Sequence, residues 1–517
     1  MMKLSDLLES AVIPLRKISS DHRAVDPIIS RVVEDSRTVQ PGDLFVAKTG
    51  SKNAGQEFIS EAIGRGAAAI VTDQPQCVPS QGHAVIIACD SPTQALGFLA
   101  QAIYNFPARG MKLLAVTGTN GKTTTTYLIR SIMHKASIAC GLIGTVQLDD
   151  GKTVVESPMT TPGPVELAAL LARMRNHGVQ AVALEASSHA LAQNRLAGLD
   201  VQVAMFSNLT GDHLDYHGTR EKYADAKARL FESLAPHAFA ILNAQDSWSG
   251  RMVRDCRARK ISYGIQCAAD YSCTIRAMNS KGMELAIGTC TGENLTLHTA
   301  LVGRHNVQNI LCAMAACRAA GVDWDPIISG LQAGDIVPGR LQPVVPAGMR
   351  REELPFSVLV DYAHTHDALE NVLTAVRGFT NGKIICVFGC GGDRDATKRP
   401  KMAAVAQRLA DTIIVTDDNP RTEGSAVIIN QILSGFSGDL GGRVTVIPDR
   451  ADAIRAAVNI AQTGDVILLA GKGHENYQII GTSRYNFDDV EHARKAIIAR
   501  LGPSPGNRTG LQTNGMT

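Results

Sequence analysis

The 517 residues carry 51 Lys and Arg against 49 Asp and Glu, a net charge of +2, so the overall charge favours neither nucleic acid nor an acidic membrane as a partner. The length exceeds one ordinary hydrophobic core and predicts two to four domains. No apolar stretch approaches a membrane span, and the 11 cysteines are scattered without a C-x-x-C pair, mostly in apolar or Ala-rich runs such as LCAMAACRAA. That pattern reads as small core residues in a reducing compartment, and the expectation is a cytoplasmic protein without membrane insertion.

Along the chain, short Val/Ile/Leu-rich runs alternate with Ala-rich stretches of helical spacing. The first clear run, AAAIVTD (67–73), precedes a Pro/Gly break at NFPARG (105–110). Next comes KLLAVTG (112–118), leading into TGTNGKTTTTYLIRSI. A β-type run, a glycine loop and a helical pattern make an anion cradle from backbone N–H groups, although G-x-x-G-K-T is shorter than the usual nucleotide loop. Lys122 would reach terminal phosphates, and the Thr123 hydroxyl would bind Mg²⁺.

QAVALEAS (180–187) places Glu185 at the end of an apolar run, either as a Walker-type acid or as a helix cap. FSNLTGDHLDYHGTREKYADAKARLF (206–231) follows, with His213 readable as a metal ligand or a plain hydrogen-bonder. Lys227 lies in a helical pattern, and its composition alone reads as a solvated surface lysine. A second seam, IVPGRLQPVVPAG (336–348), precedes KIICVFG (383–389), DTIIVTDD (411–418) and DVILLAGKG (465–473). Continuous apolar runs that end in Gly or Asp loops suit buried parallel strands, so the fold class is α/β. The seams predict three domains, 1–107, 108–337 and 338–502, with a disordered tail at 503–517.

At this point the chain resembles the Mur ligase family, ATP-dependent amide-bond-forming enzymes of peptidoglycan precursor synthesis. The shortened loop TGTNGKTTT is that family's spelling. EASSHAL, NLTGDHLDYHG, YADAKARLF, LVGRHNVQN, VDYAHTHDALE and AGKGHENYQ follow in order over nearly the whole chain. The resemblance implies a UDP-substrate domain, a central ATP-binding domain with a P-loop-type parallel sheet, and a Rossmann-like amino-acid-binding domain. DSRTVQPGDLFVA, TTPGP, GCGGDRDATKRPKM and DDNPRTEG further resemble the branch that adds the third residue of the peptide stem. That residue is meso-2,6-diaminopimelate where D-N-P-R is present. The implied substrates are UDP-N-acetylmuramoyl-L-Ala-D-Glu and meso-diaminopimelate, the implied cofactors ATP and Mg²⁺, and the implied state a monomer that binds no nucleic acid.

Site residues carried by the resemblance fall into five sets. Gly118, Thr119, Asn120, Gly121, Lys122, Thr123 and Thr124 hold ATP, with Asn306, Arg340, Asp361 and His364 near the nucleotide. Thr123, Glu185, His213 and Lys227 form the metal site, Lys227 as a carbamate. Lys122, Lys227 and His213 are the catalytic set. Ser36 lies at the uridine end, and Thr160, Thr161, Ser187, Gln193 and Arg195 contact the sugar and peptide. Arg394, Asp418, Asn419, Pro420, Arg421, Gly471 and Glu475 receive the amino acid. Arg421 and Arg394 would grip carboxylates through paired N–H donors, and Asp418 and Glu475 would take ammonium groups.

Two departures stand out: His366 where the family has proline, which would loosen a turn, and Gln56 in place of histidine. The alternatives are a lysine-adding ligase, against which D-N-P-R argues, and a folylpolyglutamate synthase-like ligase, which would lack the N-terminal motif. A kinase would need no amine. A nucleotide-dependent regulatory protein would need no amino-acid site.

Overall fold

A computed structural model describes residues 1–11, 16–18, 26–48, 54–79, 83–211, 213–333 and 337–502. The expectation for the tail at 503–517 lies outside the described residues. The chain divides into two compact units: Met1–Ser272 with Asn309–Gly330, and Cys273–Gln308 with the residues from Leu331 onward.

In the first unit, a small sheet runs in the order Arg16–Ile18, Val85–Ala88, Ala69–Thr72, Leu44–Val46, Val32–Val33. Only its first strand is antiparallel to its neighbour. The helix Pro92–Ile103 packs on it, started by Ser91, whose hydroxyl accepts from the Gln94 N–H, and by Pro92 at the first helical position.

The larger sheet of this unit has a parallel core ordered Cys140–Ile143, Ala181–Glu185, Lys112–Thr117, Val203–Phe206, Phe239–Asn243, Arg259–Ile265. Every residue of Ala181–Glu185 and of Val203–Phe206 is buried. Strands covered on both faces need continuous rather than alternating apolar sequence, which is why the run QAVALEAS was legible. Lys112–Thr117 lies between these two strands, with Glu185 opposite Val116 and Phe206 opposite Thr117. The loops that follow the three strands therefore leave the sheet side by side, at the carboxyl edge where α/β sheets bind ligands.

The second unit holds a sheet ordered Gln342–Pro343, Ser357–Asp361, Val466–Ala470, Ile384–Phe388, Thr412–Val415, Val444–Val446, parallel except for its first strand. Apolar cores cover both faces, one with helices His366–Arg377, Lys398–Leu409 and Ser425–Leu433, the other with Arg450–Ile460 and Asp489–Leu501. This is a doubly wound arrangement. The α/β expectation holds, and the quoted Val/Ile/Leu-rich runs all form strands. The antiparallel pair Gly282–Thr289 and Asn294–Thr299 was not anticipated.

The turn at His366 is intact. Thr365 caps the helix by accepting from the Ala368 N–H at 3.2 Å, and His366 takes the first helical position, one that proline favours but that other residues also fill. Gln56 sits in a short 3₁₀ turn, Gly55–Phe58.

Candidate active site

The glycine loop between Lys112–Thr117 and the helix Lys122–Lys135 is built for close approach. Gly118 has φ 146°, and a Cβ there would stand 1.9 Å from Ser207 Oγ. Gly121 has φ 87°, and its Cβ would meet Asn309 Oδ1 at 2.3 Å. The neighbouring loop fixes the shape. Thr119 N–H donates to the Asn208 carbonyl (2.8 Å), Asn120 N–H to Asn208 Oδ1 (3.0 Å), and Ser207 Oγ to the Asn120 carbonyl (2.6 Å). Lys122 Nζ turns back into the loop, donating to the carbonyls of Gly118 and Thr119, both at 2.9 Å. Gly121 gives the helix no side-chain cap, which leaves first-turn N–H groups for an anion, with Thr123 and Thr124 in that buried turn.

Glu185 is fully buried and is not a helix cap, since Ser187 caps the next helix by accepting from the Ala190 N–H at 3.2 Å. Its two carboxylate oxygens accept from the N–H and the hydroxyl of Thr145, each at 2.9 Å. Among the described residues it pairs with no cationic side chain. A buried carboxylate held by neutral donors alone is suited to a cation from outside the chain. The Glu185 carboxylate oxygens, like the hydroxyl expected of Thr123, are hard donors of the kind that fits Mg²⁺, whose other ligands are water and phosphate. No three His, Cys, Asp or Glu side chains converge as a ready-made cage among the described residues.

Lys227 corrects the surface reading made from composition. It is 1% exposed, its Nζ donates to the Gly118 carbonyl at 2.9 Å, and it lies 4.4 Å from the Tyr223 ring. The helix Arg220–Glu232 looks polar in sequence, yet Tyr223, Ala224, Lys227 and Phe231 share one buried face at i, i+4 spacing. Tyr223 OH lies 3.2 Å from Thr119 Oγ1, so this face joins the nucleotide loop. His213 is exposed, with φ 52°, at the start of the short helix Leu214–His217; its ring stacks edge-on to His189 at 4.8 Å and lies 6.3 Å from Tyr223.

The residues expected at the sugar and peptide form one connected strip leading away from Glu185. Thr160 Oγ1 lies 3.1 Å from Thr145 Oγ1, and Thr161 Oγ1 donates to the Glu185 carbonyl at 2.7 Å. Ser187 N–H donates to Thr161 Oγ1 at 3.1 Å. Arg195 donates to the Thr161 carbonyl (2.6 Å) and forks onto Gln193 Oε1 (2.8 and 3.1 Å). Ser36 is buried, its hydroxyl donating to Glu61 Oε2 at 2.6 Å. Nearby Glu34 approaches the TTPGP loop, since a Cβ on Gly163 would stand 3.3 Å from its carboxylate.

In the second unit, Asp361 ends the strand Ser357–Asp361 and accepts from the N–H groups of Leu341 (2.8 Å) and Ala363 (2.9 Å). Burial raises its carboxyl above the usual range, against the pull of Arg340. Arg340 lies over the Tyr362 ring at 5.4 Å. His364 Nδ1 is 2.8 Å from the Tyr362 carbonyl, and burial lowers its pKa, so the ring is neutral at pH 7. Asn306 is buried and donates to the Val302 carbonyl at 2.8 Å.

Asp418, Asn419, Pro420 and Arg421 follow the strand Thr412–Val415; Gly471 and Glu475 follow Val466–Ala470. Asn419 Nδ2 donates to Glu475 Oε2 at 2.9 Å. Gly471 has φ 117°, and a Cβ there would lie 3.5 Å from Asp418 Oδ2. Arg421 has φ 53°, and its Nη1 donates to the Gly392 carbonyl at 2.9 Å. Arg394 is exposed in the GGDRD loop. A Cβ on Gly391 would stand 2.8 Å from Arg421 Nη1 and 3.9 Å from Arg394 Cγ, so the two expected carboxylate grips flank one glycine.

Two ion pairs missed in the sequence support these loops. Arg399, fully buried, grips Glu423 (2.8 and 2.9 Å) and donates to the Gly391 carbonyl (3.0 Å). The Glu423 carboxyl is held down at about 2 by that pairing. Arg450 and Asp489, both fully buried, pair through two bonds of 2.7 Å. Arg450 also donates to the carbonyls of Ala470 (3.1 Å) and Asp417 (3.5 Å). Lys472 was missed as well, although its place between two glycines in AGKGHE was a visible signal. Thr145 and Tyr223 carried no such signal.

A glycine loop closed by its own lysine, with a buried acid on the adjacent strand, defines a nucleotide-dependent enzyme of the P-loop class. The chain belongs to the Mur ligase family: residues 28–104 match its catalytic domain, 116–317 its middle domain and 339–473 its glutamate ligase domain. It is 42% identical over 504 residues to the UDP-N-acetylmuramoyl-L-alanyl-D-glutamate--2,6-diaminopimelate ligase of Synechococcus elongatus, covering 96% of this chain and 99% of that one. It is 43% identical over 485 residues to the ligase of the same name from Geobacillus kaustophilus, covering 93% and 97%. A solved structure of a ligase so named superimposes with a TM-score of 0.68 at 33% identity, covering 91% and 95%.

Proposed function

We propose that this chain is an ATP-dependent ligase that joins an amino group of meso-2,6-diaminopimelate to the D-glutamate carboxylate of UDP-N-acetylmuramoyl-L-alanyl-D-glutamate, in peptidoglycan precursor synthesis. The observation that carries the reading is end-to-end similarity. The match to ligases of that name spans 96% of the chain and includes both the nucleotide loop and the D-N-P-R loop. In this reading residues 1–107 bind the uridine end, 108–337 bind ATP and 338–502 bind the amino acid. No described helix is long and apolar enough to cross a membrane, and the enzyme works as a cytoplasmic monomer.

A carboxylate does not react with an amine in water, because its oxygen is a poor leaving group. Transfer of the γ-phosphoryl group from ATP to the carboxylate yields an acyl phosphate and ADP; the neutral amine then attacks and loses a proton, and the amide forms with release of phosphate. Bound magnesium supplies charge neutralisation at the transferring phosphoryl group. The chain's own residues do the rest. Lys122 exchanges its loop carbonyls for phosphate oxygens, and the amides from Gly121 onward cradle them. Thr123 and Glu185 are the oxygen donors for the metal, with His213 at the rim and Lys227 fixing the loop from behind. Arg195 and Thr161 orient the acyl substrate.

Arg421 and Arg394 receive the carboxylates of diaminopimelate, and Asp418 and Glu475 its ammonium. Lysine lacks the distal carboxylate and would leave an arginine without its anion, a defect that can discriminate by about 10⁴-fold or more. The test is phosphate release from ATP with UDP-N-acetylmuramoyl-L-Ala-D-Glu, comparing meso-diaminopimelate, L-lysine and no amino acid. Turnover with diaminopimelate alone is expected. Turnover with lysine would assign the lysine-adding ligase, and turnover without an amine would overturn the ligase reading.

A further inference from the structure

Lys472 is fully buried between two glycines that both occupy left-handed backbone, Gly471 at φ 117° and Gly473 at φ 55°. A Cβ at Gly473 would stand 2.6 Å from Tyr362 Cβ, so the chain turns tightly here and sends the lysine inward. Its ammonium donates to Asp418 Oδ1 (3.3 Å) and Asn419 Oδ1 (3.1 Å) and lies 3.7 Å from Glu475 Oε2. Asn419 in turn donates to Glu475 and accepts from the Ile479 N–H at 2.9 Å. One cation thus ties together three side chains from two different strand-end loops. With both carboxylates ionised, the cluster holds one positive and two negative charges.

We propose that Lys472 is the positioning residue of the amino-acid site: it orders Asp418, Asn419 and Glu475 as one receiving set and leaves it one positive charge short of neutral, which the ammonium of the incoming amino acid supplies. The inference rests on the reading that this cluster receives the amino acid. Without Lys472, two carboxylates would share a small buried space, and such a pair holds a proton between them at neutral pH. Burial and the charge of Asp418 already push the Glu475 carboxyl above its usual range with the lysine in place. The other charged or titratable groups facing the cluster are Arg421, Arg450, Asp417, His364, Cys390, Tyr362 and Tyr477.

The experiment measures KM for meso-diaminopimelate in wild type, Lys472→Met and Glu475→Gln from pH 7 to 9, alongside KM for ATP and for the UDP-dipeptide. The mutant-to-wild-type ratio cancels titration of the substrate amine. Lys472→Met is expected to raise the diaminopimelate KM about tenfold or more at pH 7, the loss of a charge-assisted set. The ratio should shrink as rising pH drives the shared proton off, while the other two KM values stay within about twofold of wild type. A merely structural lysine would shift all three together, with no recovery at high pH. Glu475→Gln keeps Lys472 paired with Asp418 and tests the same idea if the first variant does not fold. It should raise the diaminopimelate KM at every pH, because the cluster is then neutral. Unchanged KM in either folded variant overturns the inference while wild-type turnover leaves the ligase reading standing. No turnover by wild type with any amino acid overturns both.

Discussion

Lys227 Nζ donates to the carbonyl oxygen of Gly118 at 2.9 Å, across 109 positions of sequence. The bond joins the back of the nucleotide loop to the buried face of a helix whose outer face is fully polar. Because Lys227 is buried, its ammonium has to be satisfied there or chemically converted, and the carbamate implied by the family would turn a cation into an anion beside the loop.

Lys227→Met should keep the fold and lower kcat by about 10²-fold or more, the scale seen when one preorganised electrostatic group is lost. The check pairs steady-state phosphate release with a thermal melt. If Lys227 acts as a carbamate, wild-type activity should fall on removal of dissolved carbon dioxide and return with bicarbonate, and the variant should be insensitive to both.

Gly118→Ala should weaken ATP and ADP binding measured by calorimetry. The left-handed backbone alone costs about 1–3 kcal/mol for an L residue, and the new Cβ would collide with Ser207 Oγ, 1.9 Å away. Gly110→Ala is the control. Its φ of 91° is equally left-handed, but nothing lies within 4 Å, so it separates strain from collision.

Arg421→Lys should raise KM for meso-diaminopimelate by about tenfold or more while leaving KM for ATP unchanged, since a point charge replaces a planar fork. Relative turnover with L-lysine should rise at the same time, as read in competition with both amino acids present.

Glu423 contributes to the acid limb of stability. Its pairing with Arg399 lowers its folded pKa from 4.5 to about 2. The unfolded chain therefore binds the proton more readily, and the pairing stabilises the fold fully above about pH 5 and less as pH falls toward 2. The melting temperature should drop over that window in wild type and drop less steeply in Glu423→Gln, which begins from a lower value at pH 7. Equal slopes would remove Glu423 from the acid response.

The parts of the fold that were legible are those where burial on both faces forces continuous apolar runs, as in AVALE and LLAVT. The antiparallel Gly282–Thr289 and Asn294–Thr299 escaped because their mixed composition carries no comparable signal. The nucleotide loop announced itself through Gly118, Gly121 and Lys122, where local backbone geometry dictates residue type. Lys227 did not, because a helix in a polar stretch does not say which face turns inward. Arg399 and Arg450 were equally silent, since each finds its carboxylate across 24 and 39 positions.

The buried pair of Arg450 and Asp489 has a bearing on redesign. By donating to the carbonyls of Ala470 and Asp417, Arg450 couples the loop that begins at Gly471 to the one that carries the D-N-P-R sequence. Transplanting D-N-P-R alone from a relative of different amino-acid preference would seat new side chains on a mount still cut for the old ones. A working exchange has to carry both loops, with Arg450 and Asp489 kept as the shared hinge pin.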